Sequence, residues 1–141
     1  MTSSRPAITN EAPVRVAAEV GVILFAHGAR DARWAEPFVR VAEKVRAAGP
    51  ALAVELAFLE FMTPDLATAA ARLARVGVTR IRVVPLFLGR GGHVREDLPR
   101  LVESIAATLP GIPVDLALAA GDDEGVIEAL ARFCLSEASA S

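Results

Sequence analysis

Four short apolar runs alternate along the chain with four longer segments in which apolar residues recur every three or four positions. The short runs are predicted strands at residues 20–26, 52–60, 80–88 and 113–119. The first and third are apolar at almost every position, as in strands that are buried on both faces. Four strand–helix repeats predict a single α/β domain, with a four-stranded parallel sheet and helices on both faces.

The longer segments are predicted helices, and their apolar stripes indicate which side chains face the sheet. The first helix follows Asp31, and the second is predicted to begin with Thr63 as its cap and Pro64 at its first position. Asp122 or Asp123 is predicted to cap the fourth. The expected inward-facing residues are Phe38, Val41 and Val45 in the first helix, Leu66, Ala70, Leu73 and Val76 in the second, Leu98, Leu101, Val102, Ile105 and Leu109 in the third, and Val126, Ile127, Leu130 and Phe133 in the fourth.

Pro85 lies inside the third predicted strand, where it removes a backbone hydrogen-bond donor. We therefore expect a bulge at this residue, or strand pairing that ends early. The α/β domain is expected to span residues 19–135, between a flexible N-terminal tail at 1–18 and a C-terminal tail at 136–141.

Composition and charge exclude several functional classes. The net charge of −2 gives no reason to expect a surface for nucleic acid or for membranes. The polar N-terminal segment lacks the apolar core of a signal peptide, and the apolar runs are too short to span a bilayer. We therefore expect a cytoplasmic protein, whose single cysteine, Cys134, is a small buried group on the last helix.

Both histidines of the chain stand where an apolar run meets a glycine. His27 follows the first predicted strand, Glu60 ends the second, and His93 follows the third in a loop. Ligands of open parallel sheets bind outside the carboxyl ends of the strands, so these three side chains are expected at one edge, on neighbouring loops.

Two imidazoles and a carboxylate suit iron, cobalt, nickel, copper or zinc better than magnesium or calcium. Three protein ligands leave coordination positions open, so a metal held there could be passed on. The same groups can accept protons, because histidine titrates near neutral pH. One histidine at a strand end could simply cap a carbonyl group, and it is the occurrence of both that favours a site.

Glycines and arginines surround the histidines. The sequence Gly89-Arg90-Gly91-Gly92 matches no nucleotide-binding motif, and its glycines are interpreted as giving a bulky ligand room to approach. Guanidinium groups beside a metal site would pair well with a ligand that has several carboxylates. The candidate substrate-binding residues are Arg30, Arg33, Arg90, Gly91, Gly92 and Arg95.

Four segments, in this order, resemble the small sirohydrochlorin chelatases, the short CbiX-type branch of the class II tetrapyrrole chelatases. They are "HGARDARWAEPF" (27–38), "ELAFLEFMTPDL" (55–66), "VVPLFLGRGGHVREDLP" (83–99) and "GDDEGVIEAL" (121–130). The resemblance implies that His27, Glu60 and His93 handle the metal.

The resemblance also implies a function. Such lyases insert Co²⁺ or Fe²⁺, and in some relatives Ni²⁺, into sirohydrochlorin or a related tetrapyrrole, on the way to cobalamin or sirohaem. The divalent metal is then a substrate, and no permanently bound cofactor is expected. A histidine or Glu60 would accept the pyrrole protons, and the arginines would meet the carboxylates of the macrocycle. Short members pair as homodimers, with the cleft framed by both subunits.

Two other functions stay open at this point. A metal or tetrapyrrole carrier without turnover would keep the same histidines. A strand followed by His-Gly, with a distant second histidine, is also similar to the histidine phosphatases. Those hydrolases place an arginine immediately before the first histidine, where this chain has Ala26.

Overall fold

The computed structural model describes residues 18–89 and 91–140. Its strands and helices are β1 (Val20–Ala26), α1 (Glu36–Ala48), β2 (Leu52–Phe58), α2 (Leu66–Arg75), β3 (Arg80–Pro85), α3 (Gly92–Ala107), β4 (Val114–Leu116) and α4 (Glu124–Ser139). Short 3₁₀ turns precede α1 and α4, at Ala32–Ala35 and Ala120–Asp122.

The strands form one parallel sheet in the order β2-β1-β3-β4. The chain moves outward from β1 to β2 and then returns past β1 to β3, so the strand order reverses between β1 and β3. Such a switch point opens a crevice at the carboxyl ends of the two strands. The predicted four-stranded parallel sheet is confirmed, and the crevice lies where His27 leaves β1.

Pro85 is the last residue of β3. Of the two predictions for this residue, a bulge or strand pairing that ends early, the second is the one observed. The register between β1 and β3 runs as far as the pair Phe25 and Pro85, and the N–H of Leu86 then donates to the carbonyl oxygen of Phe25 (2.8 Å). The third strand therefore stops three residues before the predicted end at 88. The second stops at Phe58, so Glu60 lies in the turn beyond it.

Alternate residues of β1 face opposite sides of the sheet and enter separate cores. Ile23 and Phe25 pack with α2 and α3, whereas Leu24 packs with Ala42 of α1. Helices therefore cover both faces, as predicted. In the first two predicted helices, two expected inward residues are exposed instead, Val41 (40%) and Val76 (58%), and the small Ala42 and Ala69 are buried.

The cap of α2 differs from the prediction. Asp65 is the cap, and its side chain accepts a hydrogen bond from the N–H of Thr68 (2.8 Å). The carbonyl oxygen of Pro64 accepts a hydrogen bond from the N–H of Phe58 (2.9 Å), so Pro64 belongs to the turn after β2 rather than to the helix. At α4 the cap is Asp123, one of the two predicted residues.

The last helix departs most from the expectations. None of the residues of α4 is buried, and Ile127, Leu130 and Phe133 are 42%, 40% and 61% exposed. Cys134 is exposed rather than buried. Residues 136–139, which we expected in a loose tail, continue the helix.

The N-terminal tail predicted at 1–18 lies almost entirely outside the described residues. Over the ranges 18–89 and 91–140, no helix is long and apolar enough to cross a membrane.

Candidate active site

The loops that follow β1 and β2 are joined through their backbones. The N–H of Leu59 donates to the carbonyl oxygen of Ala26 (2.9 Å), and the N–H of Glu60 donates to that of His27 (3.1 Å). Gly28 has a positive φ of 95°, and a Cβ atom there would overlap the carbonyl oxygen of Glu60. A glycine at 28 therefore allows the two loops to lie in direct contact.

This contact brings His27 and Glu60 together as predicted. The Nε2 atom of His27 lies 3.3 Å from Oε2 of Glu60, and each side chain is 49% exposed. The edge of the imidazole ring also packs on the buried Phe87, with ring centroids 5.8 Å apart. An oriented imidazole beside a carboxylate, both open to solvent, can hold a divalent metal or transfer a proton.

The first turns of α3 form the opposite wall of a cleft of about 510 Å³. The cleft is lined by His27, Leu59, Glu60, Val94, Asp97, Leu98 and Leu101. Its volume is within the range of small-molecule sites. Four of the seven lining residues are apolar, and His27, Glu60 and Asp97 supply the polar groups.

We predicted that His93 lies in a loop, but it is the second residue of α3. Its side chain lies outside what the structure describes. Among the side chains that are described, no group of three or more histidine, cysteine, aspartate or glutamate residues could hold a metal. Two of the three predicted ligands are therefore in contact, and the participation of His93 stays a prediction.

The candidate substrate-binding residues differ in their surroundings. The guanidinium of Arg33 lies 2.8 Å from Asp31 and lowers the pKa of that carboxyl group through a side-chain hydrogen bond. The guanidinium of Arg30 instead lies over the ring of Phe61, 4.5 Å from its centroid. Arg95 is exposed on α3, and Arg90 lies outside the described residues.

Gly91 is the residue before α3 and Gly92 is its first residue. Among the atoms that the structure describes, a Cβ atom added at either position would meet nothing within 4 Å. A role of these glycines in ligand binding stays a prediction.

Comparison with known proteins decides the family. The CbiX family model matches residues 21–135, which contain the four strands except the first residue of β1, and most of α4. The chain belongs to the CbiX family. The predicted family, the α/β fold class and the enzyme class, a metal chelatase, are thereby confirmed.

Two curated relatives of this CbiX chain are each named sirohydrochlorin cobaltochelatase. The protein from Sulfurisphaera tokodaii is 34% identical over 110 residues, which cover 78% of this chain and 87% of the relative. The protein from Methanopyrus kandleri is 35% identical over 83 residues, which cover 59% of this chain and 58% of the relative.

Two solved structures share the CbiX fold. A CbiX protein from Marinobacter aquaeolei VT8 aligns with a TM-score of 0.76 and 34% identity, over 86% of this chain and 99% of that chain. The sirohydrochlorin chelatase SirB from Bacillus subtilis subspecies spizizenii, in complex with cobalt, aligns with a TM-score of 0.70 and 27% identity. That match covers 81% of this chain and 49% of SirB, so this CbiX chain spans about half of the SirB chain.

Three residues in or beside the candidate site were not predicted from the sequence. Phe61 adjoins Glu60, Asp97 lies one helical turn after His93, and Phe87 is inside the third apolar run. Position beside a predicted ligand was a usable signal for Phe61 and Asp97. For Phe87 there was none, because a buried phenylalanine in an apolar run is typical of any core.

Proposed function

We propose that this protein inserts Co²⁺ into sirohydrochlorin. The contact between His27 and Glu60, on the loops after β1 and β2 and in the cleft against α3, is the observation that supports this most directly. The relatives named sirohydrochlorin cobaltochelatase and the cobalt complex of SirB support the choice of metal and of macrocycle.

Iron is the second metal to consider. A structure of SirB from Bacillus subtilis with Fe³⁺ aligns at 25% identity with a TM-score of 0.69. Imidazole and carboxylate ligands accept several divalent ions, so Fe²⁺ and Ni²⁺ belong in the same assay as Co²⁺.

The proposed mechanism begins with Co²⁺ bound by His27 and Glu60, with His93 as the third ligand. Half of each described side chain is open to solvent, so the metal can enter and leave. The macrocycle would lie over this pair and take up the metal as two pyrrole N–H protons depart. Once the metal has left it, Glu60 would accept these protons one after the other and, because its side chain is half exposed, pass each to water.

We also propose that the protein acts as a homodimer. The apolar side chains of α4 are exposed in the single chain, and such a surface on a soluble helix is typical of an interface. One chain covers 49% of SirB, so two copies would match the length of that longer chelatase. The second copy would frame the cleft and bind the part of the macrocycle that the 510 Å³ cleft leaves outside.

Anaerobic metallation of sirohydrochlorin, followed by absorbance, tests the chelatase proposal. Co²⁺, Fe²⁺ and Ni²⁺ are compared in parallel, with a reaction that contains no protein. The wild type is expected to accelerate insertion, and His27→Ala is expected to return the rate to the uncatalysed level. Arg75→Gln, an exposed arginine at the opposite edge of the sheet, is the control.

Stoichiometric metal binding without any acceleration would reject the chelatase proposal in favour of a carrier.

A further inference from the structure

A second side-chain contact joins the same two loops that hold the candidate metal ligands. Arg30 is three residues after His27, Phe61 immediately follows Glu60, and the guanidinium carbon of Arg30 lies 4.5 Å from the centroid of the Phe61 ring. The contact is within the range of cation–π interactions. A positive charge therefore lies on the two loops that carry the candidate ligands His27 and Glu60.

Core packing does not explain Phe61. Its side chain is 56% exposed, and its backbone has a φ of 66°, which is the left-handed region. A bulky residue rarely adopts this conformation, and glycine or asparagine would adopt it with less strain. Strain of this kind tends to persist at ligand-binding sites, so Phe61 is a candidate for a functional role.

The guanidinium of Arg30 is available to bind an anion. No ion pair or hydrogen bond of its guanidinium is found among the residues that the structure describes, whereas Arg33 is paired with Asp31 at 2.8 Å. An aromatic face holds a guanidinium in place without neutralising it, and the N–H groups at its edge stay available. Those N–H groups match a carboxylate in geometry.

We propose that Arg30 and Phe61 form a carboxylate-binding unit for the periphery of the tetrapyrrole. Arg30 donates hydrogen bonds to a carboxylate of the macrocycle, and Phe61 is a positioning residue that holds the guanidinium on the loops of the candidate ligands. The unit favours tetrapyrroles with peripheral carboxylates over those without them. This inference rests on the proposed function.

Titration of metal-free sirohydrochlorin into the protein, followed by absorbance, measures the Kd without any turnover. Arg30→Gln is expected to raise the Kd about tenfold, as for loss of a charge-assisted hydrogen bond. Phe61→Leu, which keeps an apolar side chain but removes the aromatic face, is expected to raise it about threefold. Arg75→Gln is the control for loss of an exposed arginine.

The double variant separates positioning from simple contact. If Phe61 acts through Arg30, Arg30→Gln with Phe61→Leu binds no more weakly than Arg30→Gln alone. Both single variants are expected to raise KM for sirohydrochlorin and to leave kcat unchanged. This pattern is expected because the carboxylate contact binds the substrate equally well in the ground state and in the transition state. Melting temperatures equal to that of the wild type exclude unfolding as the cause.

The outcomes keep the two proposals apart. Unchanged Kd values in both single variants, or losses that add in the double variant, overturn the carboxylate-binding unit while the chelatase proposal stands. A wild type that binds sirohydrochlorin with the expected pattern but does not accelerate metallation overturns the chelatase proposal alone. A wild type that does not bind sirohydrochlorin overturns both.

Discussion

At the scale of the residue, Glu60 has two roles that a single substitution can separate. Glu60→Gln keeps the size of the side chain and one oxygen donor but removes the negative charge and the ability to accept a proton. If the carboxylate accepts a pyrrole proton, kcat is expected to fall about 100-fold. The affinity for Co²⁺, measured by titration without the macrocycle, is expected to fall less.

Equal losses in kcat and in Co²⁺ affinity would make Glu60 a metal ligand with no part in proton transfer.

Substitution of Gly28 tests whether contact between the two loops is required for stability and for insertion activity. A Cβ atom in Gly28→Ala would overlap the carbonyl oxygen of Glu60 at a φ of 95°, so the loops must separate. We expect a destabilisation of about 1–3 kcal/mol and a loss of insertion activity as His27 and Glu60 part. Urea unfolding measures the first effect and the metallation assay the second.

Gly89→Ala is the matched control for stability, because a Cβ atom at that position meets no atom that the structure describes within 4 Å. A free energy of unfolding for Gly28→Ala equal to that of Gly89→Ala would show that the loops tolerate separation.

At the scale of the element, the cap of α2 gives a pH-dependent contribution to stability. The hydrogen bond from the backbone N–H of Thr68 lowers the pKa of Asp65 in the folded protein. A carboxyl group with a lowered pKa stabilises the fold above its unfolded pKa, and this contribution is lost as the pH falls through the folded pKa. Because Asp65 is solvent-exposed, the part of its contribution to stability that depends on its charge is small.

Asp65→Ala is therefore expected to cost about 1 kcal/mol near neutral pH, and Asp65→Asn much less, because asparagine also caps helices. Urea unfolding between about pH 6 and about pH 3 is expected to show the difference between wild type and Asp65→Asn shrinking as the carboxyl group is protonated. A constant difference over that range would show that the charge of Asp65 contributes nothing.

Local patterns predicted the elements but not all of their ends. The four strands, the alternation of helices and the meeting of His27 with Glu60 followed from apolar runs and from the geometry of parallel sheets. The cap of α2 and the helical position of His93 did not. The N–H of Phe58 donates to the carbonyl oxygen of Pro64, six residues later, so Pro64 stays in the turn and the helix begins after Asp65. Gly91 and Gly92 indicated a loop around His93, but α3 begins at Gly92.

At the scale of the whole molecule, the misjudged helix α4 is informative. Its apolar stripe follows helical periodicity, so the pattern correctly predicted an amphipathic helix. The pattern could not tell which surface the stripe would meet. A stripe that faces the sheet of its own chain and one that faces a second chain have the same sequence signature.

The homodimer proposal places that stripe, Val126, Ile127, Leu130, Phe133 and Cys134, in the interface. Leu130→Glu would bury a charge there and is expected to weaken dimerisation at least about tenfold. Arg132→Gln changes the net charge by the same amount on the opposite side of the helix, and is the matched control. Sedimentation equilibrium measures the mass against 14.8 kDa for one chain.

The single thiol gives an independent measure of the same interface. Because Cys134 is exposed in the isolated chain, burial in a dimer should slow its alkylation, and Leu130→Glu should restore rapid reaction. If both subunits frame the cleft, the Leu130→Glu monomer also loses metallation activity in proportion to its dissociation, whereas Arg132→Gln keeps it. A wild type of monomeric mass at concentrations where it is fully active would show that one chain is sufficient and would overturn the homodimer proposal.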